Sequence, residues 1–416
     1  GNGSLDGFAI TALKTGRSRL LLVGAMMSLA FLTIGGRLVD VSLLHDGHEP
    51  RLADVSTLKL LKKERADIID RNGVLLATSL TTSSLYANPR QILNADEAVE
   101  KLRQALPDIS VRLTLDRLTS DKGFIWIRRN LTPRQKYEVN RLGIPGLYFQ
   151  HEESRVYPHG PLAAHVLGFT DIDHRGLAGI ERSMDEILRN RHEPLRVSLD
   201  IRIQHILHQE LNRAKEKFEA IGGAGIILNA KSGEVLALVS LPDFDPNALG
   251  KVNEDAIFNR ATLGVYEMGS TFKIFTTAAA LETGTAGLKD GYDATNPIHI
   301  ARFTIRDYHP KKRWLSVPEI LIYSSNIGAA KMALDVGSTA MRKFFSRLGL
   351  LRPSAVELSE VGAPIIPTPW REINTMTASY GHGLAVSPLQ LATGIATMVN
   401  GGYLRPATLL PSPEGE

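Results

Sequence analysis

"YEMGSTFKIFTTAAALE", residues 266–282, sets a serine and a lysine three positions apart where an apolar helix begins. Glu267 to Ser270 reads as a loop pivoting on Gly269. Phe272, Ile274, Phe275 and the run Ala278 to Leu281 predict a buried helix. Residues i and i+3 share a helix face, so Lys273 is expected to hold its amine beside the Ser270 hydroxyl. Burying an ammonium is costly and drives a lysine toward its neutral form. A neutral Lys273 can take the Ser270 proton and turn the hydroxyl into a nucleophile. The unpaired N–H groups at the helix start favour a developing oxyanion. S-x-x-K alone is a common pattern, and Ser270 reads equally well as a plain N-cap.

A second stretch, "EILIYSSNIGAAKMALDVG" (319–337), carries Ser324, Ser325 and Asn326 between an apolar run and another helix. Ser324 can relay a proton to a leaving amine, and the Asn326 amide can hold a peptide backbone and Lys273. The bland reading is a pair of capping residues between two helices.

Composition narrows the classes. The 416 residues suffice for an anchor and two or three domains. Apolar residues make up 43% and charged residues 22%, with a net charge of +4, so nothing marks a nucleic-acid-binding face. There is no cysteine, which excludes disulfides, thiolate catalysis and cysteine-built zinc sites. His205 and His208 stand i, i+3 on a helix without a third ligand in register, so packing or surface roles are favoured over a metal. No cofactor is expected.

"LLLVGAMMSLAFLTIGG" (20–36) is uncharged and ~25 Å long as a helix, near the lower limit for a membrane span. Lys14, Arg17 and Arg19 precede it, which predicts a cytoplasmic N-terminus and a retained anchor. A signal peptide would have a shorter apolar core and an A-x-A-like site after it. The rest reads as α+β. Asn72-Gly73 predicts a hairpin turn between two short strands. Helical pieces are expected at Asp96–Leu106 and Thr132–Leu142. A short strand at Val197–Leu199 leads to a helix capped by Asp200, with Ile203, Ile206, Leu207 and Leu211 on one face. "GAGIILNAKSGEVLALVSLP" predicts a hairpin turning at Lys231-Ser232-Gly233.

The two motifs occur in the order S-x-x-K, S-x-N of the penicillin-recognising serine enzymes. The flanking blocks are more specific: "RADIIDRNGVLLA" (65–77), "YPHGPLAAHVLGFTDIDHRGLAGIE" (157–181), "GEVLALVSLPDFDPN" (233–247), "HPKKRWLSVPEILIYSSNIG" (309–328) and "YGHGLAVSPLQLATGIATMVNGGYLRP" (380–406). Over nearly its whole length the chain resembles class B penicillin-binding proteins, and most closely their cell-division members.

That resemblance implies a cytoplasmic N-terminus (1–19), a single transmembrane anchor (20–44), an elongated β-rich periplasmic pedestal (45–195) and a transpeptidase domain with an antiparallel sheet between helices (196–416). It implies that Ser270 attacks the D-Ala-D-Ala end of a pentapeptide stem, with Lys273 as base and Ser324 and Asn326 completing the site. β-Lactams would acylate Ser270. The implied location is the inner membrane at the division septum, with the glycosyltransferase FtsW and other septal proteins as partners. The family's third motif, K-T-G, supplies a cationic group for the substrate carboxylate. No K-[ST]-G follows Asn326, so the sequence is expected to be incomplete at its C-terminal side. Met268 stands where many relatives have proline. An elongation-type relative, a β-lactam sensor or hydrolase, and a non-catalytic division scaffold are the competing readings.

Overall fold

The computed structural model describes residues 24–34, 65–300 and 302–412. The chain divides into one unit of residues 1–62 and another of 63–416. In the first unit a helix runs over 24–34, with Met26, Leu29, Phe31 and Leu32 all exposed. No helix among the described residues is long and apolar enough to cross a membrane. Most of the expected anchor (20–44), and all of the expected cytoplasmic segment (1–19), lie outside the described residues.

In the second unit β1 (Ile68–Ile69) and β2 (Leu75–Ala87) run antiparallel about the expected turn. Gly73 there has φ +88°, a conformation that favours glycine. The Asp70 carboxylate accepts from Asn72 N and Val74 N, both at 2.8 Å, which fixes the turn. α1 (Ala95–Ala105) is capped by Asn94, and α2 (Val111–Leu118) by Ser110. β3 (Ile125–Leu131) and β4 (Leu147–Val156) then flank β2, pairing over Ser83–Ala87 and Thr78–Ala87 respectively. Between them lies α3 (Pro133–Arg141), with a reciprocal capping box of Thr132 and Gln135. Leu85, Leu102, Leu106 and Leu131 are buried between sheet and helices. Each contributes roughly 2–3 kcal/mol relative to exposure.

Neither β3 nor β4 was expected. Strand β4 ("LYFQHEESRV") is polar along most of its length, and β3 ("IWIRRNL") runs from three apolar residues into a polar stretch without alternating. Their pairing with β2 is long-range, so local pattern carried no sign of it.

β5 (Leu195–Arg196) adds a parallel pair to β1, starting two positions before the strand expected at Val197–Leu199 and ending just ahead of it. α4 (Ile201–Lys217) begins at Asp200, whose carboxylate accepts from Arg202 N. Its buried face is rotated from the expected one. Ile206 is exposed, and the centre of the face is Gln204. The Gln204 amide donates to Leu162 O and Leu238 O and accepts from Leu238 N, so a polar residue sits buried without penalty. β6 (Gly223–Leu228) and β7 (Val235–Leu241) form the expected hairpin, turning at Lys231-Ser232-Gly233, and lie against α4. Leu207 and Leu211 rest on Gly225 and Gly223, where any side chain would crowd them.

Next come β8 (Tyr266–Glu267), α5 (Phe272–Thr283), β9 (Gly291–Asp293), β10 (Ile298–Ile300), β11 (Phe303–Ile305) and β12 (Trp314–Ser316). They are followed by α6 (Val317–Ile322), α7 (Asn326–Val336), α8 (Ser338–Arg347), α9 (Glu372–Ala378), β13 (Ala385–Val386) and α10 (Pro388–Val399). α10 covers the other side of β6, so the hairpin lies between helices as expected. α5 is central. Phe272 and Phe275 meet edge-to-face at 5.3 Å, and Phe345 of α8 meets Phe272 at 5.6 Å, all fully buried. This packing holds the start of α5 rigid against α7 and α8.

Candidate active site

Two glycines bring the S-x-x-K turn to its place. Gly269 has φ +58° and Gly381 φ +77°. Gly269 N donates to Gly381 O at 3.2 Å, and a Cβ on Gly381 would fall 2.1 Å from Gly269 O. Only glycine allows that approach. Pairing of β8 with β13 supports it, and Gly383 N donates to a Glu267 carboxylate oxygen at 2.7 Å.

Ser270 lies in a short 3₁₀ turn (Gly269–Thr271) that leads into α5, not in the first α-helical turn. Its hydroxyl makes no capping bond. It accepts from Lys273 Nζ at 2.8 Å, which replaces the plain N-cap alternative. Lys273 is 1% exposed, whereas Ser270 is exposed. Its Nζ also donates to Ser324 Oγ at 2.9 Å and Ser324 O at 3.0 Å. Burial lowers the Lys273 pKa to about 8, against a weaker opposing pull from the Asp307 carboxylate. A reactive hydroxyl therefore sits at the surface above a hidden amine that sheds its proton near physiological pH.

Ser324 has φ +55°, a left-handed conformation that a non-glycine residue rarely adopts and that costs about 1 kcal/mol or more. In this geometry both its carbonyl and its hydroxyl reach the lysine. Ser325 caps α7: its hydroxyl accepts from Gly328 N at 2.9 Å and donates to Asp307 Oδ2 at 2.8 Å. Asp307 Oδ1 accepts from Ile327 N at 2.9 Å. One carboxylate thus pins the whole Ser-Ser-Asn turn. Asn326 opens α7, and its amide donates to Arg306 O at 2.9 Å, while the Lys273 ammonium donates to Ser270 and Ser324 instead of to the Asn326 amide oxygen as expected.

Four residues predicted from sequence converge here: Ser270, Lys273 and Ser324 in one hydrogen-bonded chain, Asn326 beside it. Asp307 and Arg306 were missed. A single aspartate in a charged stretch, 18 positions from its partner Ser325, gives no local signal. Of the two histidines, His208 bonds Asp243 at 2.7 Å, and His205 is exposed. Chemically, the cluster can move a proton between a hydroxyl, an amine and a second hydroxyl.

The penicillin-binding protein dimerisation domain matches residues 61–216, and the penicillin binding protein transpeptidase domain matches residues 223–414. The probable peptidoglycan D,D-transpeptidase FtsI of Caulobacter vibrioides is 40% identical over 355 residues, 84% of this chain and 60% of the relative. The probable peptidoglycan D,D-transpeptidase PenA of Neisseria meningitidis serogroup A is 33% identical over 95% of this chain and 73% of its own length. The peptidoglycan D,D-transpeptidase FtsI of Escherichia coli K12 is 30% identical over 94% of this chain and 72% of its own. The chain therefore spans about 60–73% of these relatives' lengths. With both domains matched in order and a hydrogen-bonded Ser-Lys-Ser cluster inside the second, the chain belongs to the class B penicillin-binding proteins.

Proposed function

We propose that the chain is a peptidoglycan D,D-transpeptidase of septal wall synthesis and a β-lactam target. The observation that carries the reading is the Lys273 amine held at 2.8 Å from the exposed Ser270 hydroxyl and 2.9 Å from Ser324. Neutral Lys273 takes the proton as Ser270 Oγ bonds the penultimate D-Ala carbonyl carbon. Nearby backbone N–H groups stabilise the oxyanion. The C–N bond then breaks, and the proton passes from Lys273 through Ser324 to the departing D-Ala amine. An amine of a second stem attacks the ester, regenerates Ser270 and leaves a new amide cross-link. In this reading Asn326, at the start of α7 beside the cluster, holds the substrate peptide.

In this reading residues 1–19 are cytoplasmic, 20–44 a single-pass anchor in the inner membrane, 45–195 the periplasmic pedestal and 196–416 the transpeptidase domain. The uncharged run 20–36 and the helix over 24–34 with exposed apolar side chains support the anchor. The glycosyltransferase FtsW and other septal proteins are the expected partners.

Fluorescent penicillin tests the reading. The full-length protein is expected to be labelled covalently, and Ser270→Ala to abolish the label. A label that survives Ser270→Ala overturns it.

A further inference from the structure

We propose that the loop over 306–314 is a binding subsite for the acidic upstream part of the stem peptide. This rests on the transpeptidase reading above and adds a recognition element outside the Ser-Lys-Ser cluster.

Between Arg302 and Arg313 the sequence holds five basic residues and one acidic one. The single carboxylate, Asp307, is consumed by Ser325 and Ile327 N. Arg313 is neutralised by Glu319 at 2.8 Å. Arg306, Lys311 and Lys312 have no carboxylate partner among the described residues. The chain's whole net charge is only +4, so this concentration of unmatched cations on one short loop is an uneven use of charge.

The loop is also exposed and aromatic. Tyr308 is 88% exposed, and Trp314 49%. Lys312 holds a left-handed φ of +54°. Such a loop would ordinarily wander, but this one is stitched to the catalytic rim. Arg306 O accepts from Asn326 Nδ2, and Asp307 pins the Ser-Ser-Asn turn. The Lys311 ammonium sits 4.6 Å above the ring of Tyr323, the residue just before Ser324. The cations are therefore held at a fixed place beside the Ser324-Ser325-Asn326 turn. A peptide whose D-Ala-D-Ala end reaches Ser270 must leave over the rim of the site, and its free carboxylates upstream of that end are what unpaired ammonium groups at the rim recognise. Tyr308 offers its ring to the peptide's backbone and aliphatic parts.

The test measures binding of a fluorescein-labelled pentapeptide, Ala-γ-D-Glu-diaminopimelate-D-Ala-D-Ala, by anisotropy at low salt. It uses the full-length protein, with penicillin labelling run in parallel. The double change Lys311→Gln with Lys312→Gln is expected to weaken binding about tenfold, while Lys311→Arg with Lys312→Arg retains it. The same peptide with its upstream carboxylates amidated is expected to bind the glutamine variant and the native protein alike. Three results overturn the subsite: unchanged affinity in the glutamine variant, equal weakening for the amidated peptide, or equal competition by poly-glutamate or by vesicles of phosphatidylglycerol. Unchanged affinity together with normal Ser270 labelling overturns the subsite and leaves the transpeptidase reading standing. Charge-dependent peptide binding without any labelling supports the subsite and overturns the catalytic reading.

Discussion

Lys273 Nζ lies 2.8 Å from Ser270 Oγ and is buried while the hydroxyl is not. The amine acts as a base only after it loses a proton, and burial puts that loss at about pH 8. Penicillin acylation of the full-length protein should therefore rise about tenfold per pH unit below 8 and level off above it. Lys273→Arg, which cannot deprotonate, should slow acylation by roughly 10²–10⁴-fold across the range. A flat pH profile for the native enzyme between pH 6 and 9 would remove Lys273 from the role of base.

The same burial has a stability consequence of opposite sign to its catalytic use. The folded-state pKa of Lys273 is depressed below its ordinary value of 10.5. Between about pH 8 and 10.5 the unfolded chain binds the proton and the folded chain does not, so folding strengthens as pH rises through that window. Below pH 8 the buried ammonium opposes folding in full. Lys273→Met, which fills the same channel without a charge, should thus stabilise the protein at pH 7 by about 1–3 kcal/mol while abolishing acylation. Urea denaturation at pH 7 and pH 10 checks it: the gain should shrink at the higher pH.

Asp307 links two effects that a purely structural residue would not. Its carboxylate holds the Ser325 hydroxyl and Ile327 N, and its charge favours the ammonium form of Lys273. Asp307→Asn should lower the plateau of acylation by loosening the Ser324 turn. It should also move the pH inflection to lower values, because the opposing charge is gone. Loss of rate with an unmoved inflection would limit Asp307 to holding the loop.

Much of this site was legible because its signals are local. The i, i+3 spacing of Ser270 and Lys273 survives the shift of Ser270 into a 3₁₀ turn, because the turn runs directly into α5. Ser325 and Asn326 mark the start of α7 by ordinary capping chemistry. What could not be read depends on distant partners. Asp307 reaches Ser325 across the β11–β12 connection and α6. β3 and β4 exist because β2 offers both edges to them, not because their own sequences insist on strand. Asp200 capping α4 was legible, but Gln204 at the centre of the buried face was not, since its acceptability rests on three bonds to Leu162 and Leu238.

Glu181 shows the same dependence on distant partners in the first domain. Its side chain is fully buried, accepts from Arg65 at 2.5 Å and Arg155 at 2.7 Å, and receives the Tyr157 hydroxyl at 3.3 Å. Arg65 is itself completely buried and bonds Asp185 at 2.6 Å. Glu181→Ala would leave the buried Arg155 without a carboxylate and Arg65 with Asp185 alone, and should cost about 3–5 kcal/mol. Glu181→Gln keeps the acceptor oxygen and should cost less. Chemical denaturation of the two variants checks the order; equal midpoints would mean that the charge plays no part in holding these segments together.

His165 provides a separate handle on acid stability. Burial lowers its pKa to about 4, its Nε2 bonds Ala256 O at 2.7 Å, and the edge of Phe244 packs on it at 5.2 Å. An imidazolium there would lose solvation with little to replace it, so the folded state keeps the ring neutral. The unfolded chain takes up the proton near pH 6.5. Between pH 6.5 and 4 the unfolded state therefore binds more protons than the folded state, and stability falls as pH falls, by roughly 3 kcal/mol over the window. Above pH 6.5 the residue contributes no pH dependence. His165→Gln, which retains an amide donor for Ala256 O, should flatten this part of the profile while lowering stability modestly at pH 7. Melting temperatures taken at intervals from pH 4 to 7 decide the matter: a constant difference between variant and native protein across the series would show that His165 does not titrate there.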